Sequence, residues 1–95
     1  MNQNMINKLR KLQKEMQDAQ EKIERTEFTG RASGCVVIMQ GNRRLLDVSL
    51  SRELLEDHEI LQEVIILAVN DALTQIDKTT EEVMSKYAAV GGMGF

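Results

Sequence analysis

Lys8, Arg10, Lys11 and Lys14 fall within the first fourteen residues, and no acid accompanies them there. Ammonium and guanidinium groups at this density neutralise phosphate oxygens, the sequence-independent part of nucleic-acid binding. Asn4, Asn7 and Gln13, together with Arg10, are the groups of the same stretch suited to hydrogen-bonding base edges. The opposite sign is concentrated at residues 53–63, where Glu53, Glu56, Asp57, Glu59 and Glu63 occur without a Lys or Arg. The formal net charge of −3 therefore averages over a polarised chain, and the distribution carries the information.

Catalytic chemistry finds little to work with. His58 is the only histidine, and its carboxylate neighbours Glu56, Asp57 and Glu59 are too close in sequence to converge on one metal ion. Cys35, inside an apolar run, reads as a small core residue without a histidine to activate it. Gly91-Gly92-Met93-Gly94 precedes no helix and so makes no phosphate-cradling loop. The aromatic share is 3%, with no Trp, which excludes a platform of rings for stacking bases. The expectation is a binding protein with no cofactor, metal or small-molecule substrate, and not an enzyme. A single cysteine makes no intrachain disulfide and suits a reducing cytosol. No signal-peptide core follows Met1, and no apolar run approaches a membrane span.

The basic residues ride on a helix predicted from about Asn4 to Arg25. Met5, Leu9, Leu12, Met16, Ala19 and Ile23 repeat at steps of four and three, a narrow heptad seam with polar residues on every other face. Opposite charges at i, i+4, such as Lys11–Glu15 and Asp18–Lys22, support it by a few tenths of a kcal/mol each (about 0.2–0.5). Strand signals follow. Glu27–Ala32 holds Gly30, which reads as a bulge or bend. Ser33-Gly34 is a turn, Cys35–Met39 is apolar throughout, and Gln40-Gly41-Asn42 is turn chemistry. Arg43 to Leu50 returns with Leu46, Val48 and Leu50 on one face and Leu45, Asp47 and Ser49 on the other. The unalternating middle strand wants cover on both faces. A helix supplies one cover, and a second copy of the chain is expected to supply the other.

Ser51 to Leu55 reads as a short helical turn. A long helix then runs from about Asp57 to Tyr87, with Asp57 as its cap and Leu61, Val64, Ile65, Ala68, Ala72, Ile76, Val83 and Met84 at helical steps. Its first half, apolar nearly all round, is expected to be buried on most sides. Its second half, Thr74 to Lys86, has a thin stripe suited to pairing antiparallel with the first helix. Such an arm places Lys8, Arg10, Lys11 and Lys14 at its tip, with Lys86 nearby and Lys78 further in, as the candidate DNA-contacting set. Residues 1–88 form one domain in this reading, and 89–95 a flexible Gly-rich tail. The fold class is α+β: a long N-terminal helix, a three-stranded antiparallel meander, a short helical turn and a long C-terminal helix.

Ala68-Val69-Asn70-Asp71-Ala72, preceded by Leu61-Gln62-Glu63, resembles the YbaB/EbfC family of bacterial nucleoid-associated proteins. So do Gly34 before an apolar strand, Gln40-Gly41 at the turn, and Leu46-Asp47-Val48-Ser49-Leu50 leading into Ser51-Arg52-Glu53-Leu54-Leu55. The first helix fits as well, through Met5, Lys8, Lys11, Gln13, Met16 and Gln17. The resemblance covers about residues 5–88. It implies an intertwined tweezer-like homodimer that binds double-stranded DNA through its arms. It also implies a cytoplasmic, nucleoid-associated location and a role in nucleoid organisation or gene regulation. Gln40-Gly41 stands where the family usually has Asn-Gly, and the short tail lacks the Pro often present there. Asn70 and Asp71 match the family motif. At mid-helix in an apolar run, their expected role is hydrogen bonding to backbone near the sheet or the dimer junction. The alternative reading is a protein-interaction module using the heptad face or the acidic body.

Overall fold

The computed structural model describes residues 2–91, with side chains through Ala88. Helix α1 (Gln3–Arg25) leads into strands β1 (Glu27–Ala32), β2 (Cys35–Gln40) and β3 (Leu45–Leu50); a 3-10 turn (Arg52–Glu56) then precedes helix α2 (His58–Gly91). The strands form one antiparallel meander in the order β1-β2-β3. Extents of 68 × 23 × 12 Å and a radius of gyration of 19.0 Å describe a rod, where a compact chain of this length has a radius near 12–13 Å, about two thirds of that.

The helix ends follow from local chemistry. Asn2 caps α1, its side-chain oxygen accepting from the Met5 N–H at 2.9 Å. Lys22 and Arg25 occupy the last turn, where cations meet the negative end of the helix dipole. Asp57 caps α2 by accepting from the Ile60 N–H at 3.2 Å. α2 continues through Gly91, so residues 89–91 of the expected flexible tail are helical, while 92–95 lie outside the described residues.

α2 covers one face of the sheet. Val64, Ala68, Ala72 and Ile76, at steps of four, meet Phe28, Cys35, Val37 and Met39 in the core. Full burial of a side chain such as Val37 or Ile76 contributes about 1.5–3 kcal/mol. Gly30 marks neither bulge nor bend: it pairs regularly with Val37. It is small because α2 lies directly on it; a Cβ there would overlap the Ala68 carbonyl oxygen and sit 2.8 Å from the Ala72 nitrogen. The irregularity falls instead opposite Ile38 and Met39, where β3 shifts register and Leu45 pairs with Met39. That shift moves Leu45 to the α2 side of the sheet, away from Asp47 and Ser49, where strict alternation had placed it.

The two flanks of α2 differ. On one, Asp71 accepts from the Arg31 N–H at 2.9 Å and the Gln75 amide donates to the Thr29 carbonyl at 2.8 Å. These bonds occupy the outer edge of β1 and block it from pairing with another strand. Asp71 thus binds backbone beside the sheet, as its place in the helix predicts, while Asn70 is exposed. Asp71→Ala is expected to lower stability by about 1 kcal/mol in urea unfolding, with duplex affinity of the folded fraction unchanged. A selective loss of DNA binding at full stability would instead make Asp71 a contact residue.

On the other flank β3 is exposed along its whole length. Leu46, Val48 and Leu50 are 48%, 38% and 38% exposed, and Ile66 of α2 reaches 60%. Ile60, and Leu67 on the stripe of Asp71 and Gln75, are open as well. The first half of α2 is therefore not buried on most sides within one chain. A three-stranded sheet offers a single helix-wide face, and the remaining apolar surface of α2 has nothing of its own chain to meet.

Candidate nucleic-acid interface

Beyond the sheet, α1 and α2 run together as a two-helix arm. Ile23 joins Ile76 in the core, and Val83 packs against it. Ala19, Ile23, Thr79 and Val83 line one notch between the helices, which sets their antiparallel register. At the root the β2–β3 turn is pressed against the end of α1. Gly41 donates its N–H to the Thr26 carbonyl at 2.9 Å, and a Cβ at this position would overlap the Ile23 carbonyl. Further out the seam is half-covered: Leu12 is partly buried, but Met5, Leu9 and Met16 are exposed.

Lys8, Arg10, Lys11 and Lys14 all lie on the first turns of α1, distal to the sheet, and every one is exposed. They share an axial level without sharing a face. At ~100° per residue, Lys8 and Lys11 stand on one side of the helix, Lys14 at the back and Arg10 on the other side. Lys86 and Lys78 are exposed on α2. Since Val83 is level with Ala19, Lys86 lies further out toward the basic half of α1. Lys78 stays at the root, next to Asp77, so the structure does not bring it to the tip. Among the described residues the one ion pair within contact distance is Arg43–Asp77. None of the i, i+4 pairs of α1 is closed, which leaves the tip cations free to meet an external anion.

Arg43 and Arg44 belong to the arm's root. Arg43 takes φ 70°, the left-handed region that Gly or Asn adopts more cheaply. The turn is closed by the Arg43 N–H to the Gln40 carbonyl at 2.8 Å and the Arg44 N–H to the Asn42 side chain at 3.0 Å. The Arg43 guanidinium reaches Asp77 of α2, but both partners are more than half exposed, so the pair adds at most about 1 kcal/mol. Its members are thirty-four positions apart, and no local pattern announces such a contact; the only hint is the Gln40-Gly41-Asn42 turn that precedes it. Beside the turn, Gln20, Ile23, Glu24, Gly41, Asn42, Arg43 and Thr80 enclose a cleft of about 330 Å³.

The remaining candidates stay apart from this region. His58 is exposed at the start of α2, and the described residues hold no group of side chains able to share a metal ion. Cys35 is fully buried, and burial pushes its thiol pKa up, away from the reactive thiolate. No described helix is long and apolar enough to cross a membrane.

Residues 1–93 match the YbaB/EbfC DNA-binding family. The chain belongs to this family. Among similar proteins, a nucleoid-associated protein of Ligilactobacillus salivarius is 37% identical over 90 residues, covering 90% of this chain and 86% of that protein. One of Enterococcus faecalis is 39% identical over 89 residues, with 90% and 86% covered. A crystal structure of an uncharacterized protein from Helicobacter pylori superposes with a TM-score of 0.73 at 24% identity, covering 90% of this chain and 96% of that one. That likeness shows the fold, two long helices around a three-stranded antiparallel sheet. YbaB/EbfC proteins are a DNA-binding family and not a family of enzymes, in keeping with the reading of His58 and Cys35 as uncatalytic.

Proposed function

We infer that this YbaB/EbfC-family chain is a nucleoid-associated protein of the bacterial cytoplasm. It works as a homodimer that binds duplex DNA through the basic tips of its arms and contributes to nucleoid organisation or gene regulation. One observation supports this above the rest. Lys8, Arg10, Lys11 and Lys14 are all exposed and unpaired at the end of a 68 Å rod, beyond the acids of the body. Coulombic attraction to phosphate acts over about a Debye length, ~8–10 Å at physiological salt, so a tip held well away from Glu53–Glu63 acts as a local cation despite the net negative charge. Family membership and the nucleoid-associated relatives agree with it.

The second copy is called for by the body. Leu46, Val48, Leu50 and Ile66 form an exposed apolar surface of the kind that small proteins cover by association. A two-fold dimer through it doubles the phosphate-binding groups to two tips. Val48→Asp with Leu50→Asp tests both parts of the reading. Light scattering at micromolar concentration is expected to fall from a two-chain to a one-chain mass. Duplex affinity is expected to fall with it by on the order of 100-fold, as one of two tips is lost. A one-chain mass for the unmodified protein would overturn the dimer, and undiminished affinity in the monomeric variant would show that a single arm suffices.

A further inference from the structure

The two flanks of α1 carry different chemistry. Asn4, Lys8, Lys11, Glu15, Asp18, Lys22 and Arg25 lie on one flank, at heptad steps, and all but Asn4 are charged. The other flank carries Gln3, Ile6, Arg10, Gln13, Gln17, Gln20 and Glu24, all exposed except Ile6, which is half-buried. Four of its seven groups are neutral amides. Its lone cation, Arg10, is near the tip and its lone acid, Glu24, is at the root.

The packing tells the flanks apart. Gln20 and Glu24 line the cleft against Asn42 and Arg43 of the β2–β3 turn, while Lys22 lines the notch on the opposite side with Thr26 and Thr79. Arg43 leads into β3 and pairs with Asp77, which lies on the same α2 stripe as Ile66, at steps of eleven residues or three helical turns. The amide flank is therefore on the side where the body exposes Val48, Leu50 and Ile66. Joining two bodies through that side turns the amide flanks of the two arms toward one another and the charged flanks outward.

We propose that Gln13, Gln17 and Gln20 form the inner, uncharged half of the DNA interface, with the tip cation Arg10 at their outer end, hydrogen-bonding base edges and sugar–phosphate groups of a duplex held between the arms. A carboxamide offers both a donor and an acceptor and matches the N6/N7 edge of adenine in a bidentate manner. It also approaches phosphate without the repulsion a carboxylate suffers. Steps of four and three residues align Gln13, Gln17 and Gln20 along about two helical turns, ~10 Å, and Glu24 sets the inward limit of a polyanion's approach. The proposal rests on the arms being the DNA-binding element. Within that reading it divides the interface into an outer cationic part and an inner amide part.

Salt dependence separates these parts, because counterion release tracks neutralised phosphates alone. The experiment is fluorescence anisotropy with a labelled duplex over a salt series, for the full chain and for a Gln13→Ala/Gln17→Ala/Gln20→Ala variant. Alanine favours the helix, and circular dichroism verifies the fold. The variant is expected to bind about tenfold or more weakly at every salt concentration, with the slope of log K against log salt unchanged. Unchanged affinity of the triple variant, beside a weakened Lys11/Lys14 variant, would overturn the amide interface and leave arm-mediated binding standing. A change of slope in the triple variant would also overturn it. Absence of binding by the unmodified chain at low salt would remove both.

Discussion

Gly30→Ala is expected to cost roughly 3 kcal/mol of stability, the upper part of the usual range for overpacking a well-filled core. The added methyl group meets the Ala68 carbonyl oxygen and lies 2.9 Å from the Ala72 Cβ, so it strikes the helix backbone and cannot be accommodated by rotating a side chain. α2 must lift from β1, which opens the contacts of Phe28, Val37 and Ile76 that form the core. Because native domains are stable by only about 5–15 kcal/mol, such a loss is a large fraction of the total. Thermal unfolding is expected to show a Tm lower by on the order of 15 °C, at about 4–8 °C per kcal/mol for a domain of this size. Gly34 provides the contrast. Its φ of 79° makes alanine strained there, but the nearest obstacles are the Ser51 hydroxyl and the Leu54 side chain, which can move; a loss of about 1 kcal/mol is expected. Equal stabilities for the two variants would mean that α2 does not press on β1 as described.

Charge reversal at the tip has the largest expected effect on binding. Lys11→Glu with Lys14→Glu touches no buried residue, since both side chains are exposed, so Tm is expected to change little. In a dimer the double substitution removes four phosphate contacts and brings four carboxylates near the polyanion. At ~0.1 M salt the affinity for any duplex is expected to drop at least about 100-fold, irrespective of sequence, and the salt slope to fall to roughly half. Sequence-independence is part of the expectation, because phosphate contacts position a protein and carry no base information. Unchanged affinity would locate the DNA site elsewhere on the molecule. A loss confined to particular sequences would make these lysines readers of bases.

Much of the fold is written in local patterns. The heptad seam from Met5 to Ile23, the cap at Asp57, the turns at Ser33-Gly34 and Gln40-Gly41-Asn42, and the apolar run of β2 each specify an element within a few residues of its observed ends. Other features depend on residues distant in sequence. Gly30 looks like a strand irregularity until α2 is placed on it, and the register shift that carries Leu45 to the α2 side depends on how two strands meet. The Arg43–Asp77 pair joins a turn to a helix. The exposed Ile66 reads as buried because apolar sequence reports a need for cover and does not say which chain supplies it. The basic tip was legible as a cluster along the chain, and helical periodicity already fans it around α1. The amide flank was not legible: solvated glutamines carry no signal until Gln20 and Glu24 are set against the β2–β3 turn.

The most direct test of arm-mediated DNA binding is the salt dependence of duplex affinity for the unmodified protein. If six to eight phosphates are neutralised by the two tips, log K falls against log salt with a slope of about −5 to −7. A slope near zero, or no binding at low salt, would contradict the account.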